Sequence, residues 1–138
     1  MKIVVIDGQG GSLGKVIVGQ LKKEIPGTEI FAIGTNSIAT SAMRKAGAEH
    51  CATGENPVVL ACEDAEIIIG PMGIIAANSL LGEITPAMAL AIGKSQAVKI
   101  LIPVSKCRIC VAGIRDMPYG NYVELAVEEV KKLTTVSG

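Results

Sequence analysis

The residues most able to do chemistry in this chain stand close to its start, in the run Ile6-Asp7-Gly8-Gln9-Gly10-Gly11-Ser12-Leu13-Gly14-Lys15. Four glycines within seven residues, directly after an apolar run, let backbone N–H groups approach an anion at the amino terminus of a following helix. Gly8, Gly10 and Gly14 fit G-x-G-x-x-x-G, and Gly8, Gly11 and Gly14 fit G-x-x-G-x-x-G; the dinucleotide fingerprint G-x-G-x-x-G would need glycine at Leu13. A phosphate loop of the Walker type would need glycine at Gln9 and a hydroxyl at Val16, so Gly14-Lys15 does not make one. The turn is read as a site for a phosphate or nucleotide, against the plainer reading that its glycines serve only a tight turn and close helix packing.

A second group of polar residues recurs where strands are expected to end. Gly34-Thr35-Asn36-Ser37, Thr53-Gly54-Glu55-Asn56, Gly70-Pro71-Met72-Gly73 and Pro103-Val104-Ser105-Lys106 combine glycines with hydroxyls, carboxamides or charges. Ligands of open α/β sheets lie outside the carboxyl ends of the strands, where strand order reverses. The expected ligand-binding residues are therefore Asp7, Gly8, Gln9, Gly10, Gly11, Ser12, Gly14, Gly34, Thr35, Asn36, Thr53, Glu55, Asn56, Gly70, Met72, Gly73 and Asn78. Two features count against NAD: Asp7 would face the pyrophosphate, and the second strand ends in Gly34-Thr35-Asn36 without the acid that holds an adenine ribose. Asn36 remains able to bond a ribose.

Reactive groups are few. Asp7, Glu55, Glu83 and His50 are the candidates for acid or base work, yet no nucleophile and base are paired by spacing, and no H-E-x-x-H, G-x-S-x-G or paired metal-carboxylate motif occurs. Glu55 and Glu83 each precede or open a helix, where a carboxylate's ordinary role is to stabilise the helix dipole. Cys107 and Cys110 form a C-x-x-C, but Cys51, Cys62 and His50 lack the spacing to complete a zinc site, and free thiols are the expectation. No catalytic residue and no metal ligand is assigned.

The elements that must position these residues follow from periodicity. Apolar β-branched runs alternate with helix-compatible segments, which predicts βα units in a parallel sheet. Strands are expected at Lys2–Asp7, Glu29–Ile33, Ala48–Ala52, Glu66–Ile69, Val98–Ile102 and Ile109–Ala112. Helices are expected at Ser12–Ile25, Ser37–Ala46, Val58–Asp64 with Pro57 in its first turn, Ile74–Leu81, Pro86–Lys94 behind the cap Thr85, and Asn121–Leu133. The predicted fold is a three-layer, doubly wound α/β domain of Rossmann-like build spanning residues 1–138, with a mainly parallel sheet of about five to six strands.

Bulk properties narrow the partners. The 138 residues carry 13 Lys and Arg against 13 Asp and Glu, and their only aromatic rings besides His50 are Phe31, Tyr119 and Tyr122. With neither a net field nor stacking platforms, nucleic acid is not an expected partner. The stretch 66–81 is interrupted by Gly70, Pro71, Gly73 and Asn78 and falls short of the roughly 20 apolar residues that span a bilayer. No secretory signal is read at the amino terminus, so a cytoplasmic protein is expected. The apolar segments Ile74–Leu81 and Ala87–Ile92 offer surface for a homodimer or higher homo-oligomer.

VIDGQGG, IGTNSIATSAMRKAGA, ATGENPVV and IIIGPMGIIAANSLLGEITPAMA together resemble a family of small uncharacterised bacterial proteins, a domain of unknown function, over roughly Lys2 to Val104. That resemblance implies no activity. A looser likeness connects the glycine-rich first turn, the Thr-Asn turn after the second strand and the Asn56-Pro57 loop with tubulin and its bacterial division-protein relatives. The chain departs from them at GPMGIIAAN, where they carry a glycine-threonine phosphate loop, and it is too short for their polymerising second domain.

Three functions are therefore carried forward in order: a nucleotide- or phosphometabolite-binding protein; an NAD(P)-dependent oxidoreductase or small transferase acting as an oligomer; and a structural or assembly subunit with a vestigial cleft. The cofactor is unassigned, with NAD(P) or a purine nucleotide as the candidates.

Overall fold

The computed structural model describes residues 1–104 and 108–136. Ser105, Lys106 and Cys107, and with them half of the C-x-x-C and the end of the fifth strand-end loop, lie outside the described residues.

Among the described residues five strands form one wholly parallel sheet. In chain order they are β1 (Lys2–Asp7), β2 (Glu29–Gly34), β3 (His50–Thr53), β4 (Ile67–Pro71) and β5 (Val98–Ile102), and in space they run β3-β2-β1-β4-β5. The chain winds from β1 outward to β3, then returns to the other side of β1 to lay down β4 and β5. The reversal places a topological switch point between the carboxyl ends of β1 and β4. Register follows the apolar pattern, with Ile3 opposite Ile30 and Ile67, and Val5 opposite Ala32 and Ile69.

Helices cover both faces, which is why β1 and β4 are continuous apolar runs. On one face α1 (Ser12–Glu24), α2 (Ser37–Lys45) and α5 (Tyr119–Val136) enclose a core of Ile3, Val5, Ile17, Leu21, Met43, Ile69, Val123 and Val127. On the other, α3 (Glu55–Glu63) and α4 (Pro86–Lys94) enclose Val4, Ile6, Val58, Ile68, Met88 and Ile92. Successive residues of β1 thus feed opposite cores, as the two-residue period of a strand requires. The helix starts match their sequence signals: the Asn36 side chain accepts from the Ala39 amide at 2.9 Å, and Thr85 Oγ1 accepts from the Met88 amide at 3.1 Å ahead of Pro86.

Two expected elements are absent. Ile74–Leu81 is not a helix: a short 3-10 turn at Met72–Ile75 gives way to a chain of turns, with Asn78, Leu80 and Leu81 at φ values of 67°, 55° and 56°. The apolar period here is met by burying Ile74, Leu80 and Ile84 against the α3 and α4 side of the sheet, a tertiary demand that outweighs helix propensity. Ile109–Ala112 is not a strand. Arg108 at φ 58° and Gly113 at φ 86° bend the segment at both ends, and Val111 is 44% exposed, so β5 stays the edge of the sheet. The last helix begins at Tyr119, two residues before its expected start.

Candidate functional site

The turn after β1 is closed by a hydrogen bond from the Gly11 amide to the Gly8 carbonyl at 3.0 Å, and α1 begins with Lys15 N–H donating to the Gly11 carbonyl at 2.9 Å. Gln9 at φ 49° and Gly11 at φ 75° bend the chain between strand and helix. The glycines divide by role. A Cβ on Gly8 would lie 2.5 Å from Thr35 Oγ1 and 2.9 Å from Glu83 Oε1; one on Gly11 would lie 2.6 Å from Ala39 Cα; one on Gly14 would lie 2.7 Å from Met43 Sδ and 2.8 Å from Asp7 Cβ. Packing alone requires these three. A Cβ on Gly10 would meet nothing within 4 Å, because Gly10 faces open space.

That space is a cavity of about 240 Å3 floored by Asp7 through Leu13 and walled by Pro71, Leu80, Val104 and Tyr119. Pro71 ends β4 and Asp7 ends β1, so the cavity occupies the switch point. Among the described residues no Lys, Arg or His lines it, so the donors it offers an anion are peptide N–H groups. The Gly14 amide is spoken for by Asp7 Oδ2 at 2.6 Å, the Gln9 amide by Glu83 Oε1 at 2.9 Å, and the Gly11 amide by Gly8. Among the described residues the amides of Gly10, Ser12 and Leu13 have no protein acceptor, and α1 has neither a side-chain cap nor an acidic residue in its first turn.

Two carboxylates flank the turn under opposite electrostatic conditions. Asp7 is 5% exposed, and burial raises its pKa above the ordinary 3.8, against the pull of hydrogen bonds from the Gly14 and Gly8 amides and with a further push from the Glu83 charge. Glu83 is half-buried; desolvation works to raise its pKa, but hydrogen bonds from Thr35, the Gln9 amide and Asn36 outweigh it and hold the carboxyl below the ordinary 4.5. Glu83 Oε1 accepts from Thr35 Oγ1 at 2.5 Å and from Asn36 Nδ2 at 2.8 Å as well as from Gln9. An acid thus reaches the end of β2 from a loop some fifty residues away, where no sequence spacing could show it.

The remaining expected site residues fall elsewhere. Gly34 ends β2, where a Cβ would lie 2.3 Å from Thr40 Oγ1; Gly70 lies inside β4, where a Cβ would lie 2.3 Å from the Ile6 carbonyl oxygen. Thr53 bonds Thr40, hydroxyl to hydroxyl, at 2.7 Å. Glu55 and Asn56 open α3 as exposed residues, and Gly73 and Asn78 belong to the turns beyond β4. None of these lines the cavity at the glycine turn. Met72 lines a second, larger cavity of about 800 Å3 that runs along β5 and α5 between Ile100, Ile102, Met117, Tyr122 and Leu125. That volume is mainly apolar, with Arg115, Glu128, Glu129 and Lys132 among the charged residues that also line it. Leu80 and Tyr119 are cavity residues without a sequence signal of their own, whereas Val104 belongs to the strand-end loop expected to face the ligand.

Among the described residues no group of three His, Cys, Asp or Glu is placed to hold a metal ion, and no helix is long and apolar enough to cross a membrane. Ser12 and Tyr119 bring hydroxyls to the cavity and Asp7 a carboxyl, but no hydrogen bond joins them into a nucleophile and base.

No curated protein matches the sequence. Among solved structures, the crystal structure of a dodecameric FMN-dependent UbiX-like decarboxylase from Escherichia coli O157:H7 is similar at 14% identity, over 98% of this chain and 94% of that one, with a TM-score of 0.47. So low an identity and score transfer neither ligand nor activity. Residues 2–135 match the family described as Domain of unknown function (DUF3842), and the chain belongs to that family.

Proposed function

We propose that this protein binds a phosphorylated small molecule, a nucleotide or phosphometabolite, in the cleft between the carboxyl ends of β1 and β4. One observation carries the reading: the amides of Gly10, Ser12 and Leu13 are unpaired among the described residues, while their neighbours at Gln9, Gly11 and Gly14 are all paired within the protein. Open donors at a helix amino terminus, beside a cavity and a glycine with free space before it, suit a phosphate oxygen. The partner is a small molecule and not nucleic acid, given the balanced charge and a sequence whose only Phe, Tyr or Trp residues are Phe31, Tyr119 and Tyr122, too few for a row of stacked bases. Association into a homo-oligomer is supported by the exposed apolar side chains Val98, Val111, Ile114 and Leu125.

Thermal denaturation against inorganic phosphate, pyrophosphate, ribose 5-phosphate and adenosine 5′-monophosphate tests the reading. A ligand that binds only the folded protein at a hundred times its Kd adds about 2.7 kcal/mol, so at least one probe raises the midpoint. A midpoint unmoved by all four at millimolar concentration would remove phosphate from the cleft and leave the scaffold alone.

A further inference from the structure

Beside the cleft lies a second set of converging donors, already filled by a side chain. The Gln9 amide, the Thr35 hydroxyl and the Asn36 carboxamide all donate to one atom, Glu83 Oε1, at 2.9, 2.5 and 2.8 Å. These donors are held in place without Glu83. Asn36 Oδ1 caps α2 through the Ala39 amide and its Nδ2 also donates to the Gln9 carbonyl at 2.9 Å, while the Thr35 amide donates to the Asp7 carbonyl at 3.0 Å. The cradle therefore belongs to the ends of β1 and β2, and Glu83 is a visitor from the turns that follow β4.

The visiting segment is held under strain. Asn78, Leu80 and Leu81 sit in the left-handed region, where leucine is a rare occupant, and Leu81 is 95% exposed. Leu80 forms part of the cavity wall, and its Cδ1 would lie 3.0 Å from a Cβ on Gly8, next to Glu83 Oε1. The remaining cavity, about 240 Å3, is smaller than the roughly 300–1,000 Å3 of ordinary ligand pockets. Moving this segment outward would both enlarge the cleft and free three donors, which then require another acceptor.

We propose that the Gln9, Thr35 and Asn36 donors form a second oxyanion subsite, which Glu83 fills as an internal stand-in and from which a ligand's carboxylate or phosphate displaces it. The inference rests on the phosphate reading of the neighbouring cleft and narrows its ligand to a molecule with two oxyanion groups, one at the α1 amides and one in the cradle. Glu83 thereby sets a threshold: a ligand with a single anionic group gains nothing from displacing it.

Calorimetric titration of wild type, Glu83→Ala and Glu83→Gln with inorganic phosphate, pyrophosphate and 2-phosphoglycolate tests this. Glu83→Ala empties the cradle, so pyrophosphate or phosphoglycolate binds at least tenfold tighter than to wild type, while phosphate changes less. Glu83→Gln removes the charge but keeps an acceptor in place, so its gain falls short of that of Glu83→Ala. Adding Thr35→Val to Glu83→Ala reverses the gain. Equal gains for all three probes in both Glu83 variants would mean simple relief of repulsion and overturn the subsite, as would no gain at all. Limited proteolysis of wild type needs no variant to fold: saturating pyrophosphate releases Glu83 and speeds cleavage next to Leu81, and unchanged or slower cleavage overturns the displacement. If phosphate binds wild type while these signatures fail, only the second subsite is lost; if no probe binds any protein, the cleft reading falls first.

Discussion

Asp7 Oδ2 accepts a hydrogen bond from the Gly14 amide at 2.6 Å, tying the end of the central strand to the first turn of the helix that follows it. The bond is short because Gly14 has no side chain: a Cβ there would press on Asp7 and on the Met43 sulfur together. Gly14→Ala is expected to lower stability by about 1–3 kcal/mol, the usual range for overpacking a well-filled site. Urea denaturation reads this directly, and a variant as stable as wild type would show that strand and helix can part without loss.

Gly10→Ala has the opposite profile. Nothing lies within 4 Å of a Cβ at that position and its φ is not in the left-handed region, so stability holds or rises by about 0.4–1 kcal/mol through the less flexible unfolded chain. The added methyl stands where an anion would approach the amides, and phosphate binding weakens. Calorimetry on this variant separates the two roles of glycine in one turn; undiminished binding would place the anion elsewhere.

Asp7 also sets a pH dependence. Burial raises its pKa in the folded protein, so the folded state holds that proton more tightly than the unfolded chain. Its contribution to stability is therefore present below the unfolded value of 3.8 and is lost as pH climbs through the raised folded value. Asp7→Asn keeps an acceptor for Gly14 without a charge to desolvate. Its melting midpoint is expected above that of wild type at neutral pH, with the gap closing toward about pH 4 as Asp7 takes up its proton. A gap of constant size across that range would rule out ionisation as its cause.

The sequence made the scaffold legible because β1, β4 and their flanking helices obey local rules: continuous apolar strands buried on both faces, Asn36 and Thr85 as caps, Pro86 in a first turn. The glycine turn was legible for the same reason, although only the coordinates separate Gly10 from the three glycines that packing demands. What sequence could not show was tertiary convergence. Glu83 stands two residues before a helix cap, which reads as a dipole partner, and its bond to Gln9 spans 74 residues of chain. Segments 74–81 and 109–112 went astray because short apolar runs fit helix, strand or turn alike, and long-range burial decides between them.

Glu83 titrates against Asp7 and completes the electrostatics of the turn. Its carboxyl is held below the ordinary 4.5 by its three donors, so its contribution to stability is present above that value and is lost as pH falls through the lower folded pKa. Glu83→Gln is thus expected to be less stable than wild type at neutral pH and to approach it on acidification, the reverse of Asp7→Asn. The two carboxyls also repel, since the Glu83 charge pushes the Asp7 pKa upward. Removing Glu83 from wild type relieves Asp7 and recovers part of the loss; removing it after Asp7→Asn recovers nothing. In a double-mutant cycle followed by urea denaturation, Glu83→Gln must therefore cost more in the Asp7→Asn background than in wild type, and strictly additive values would mean that the two charges at the glycine turn do not feel each other.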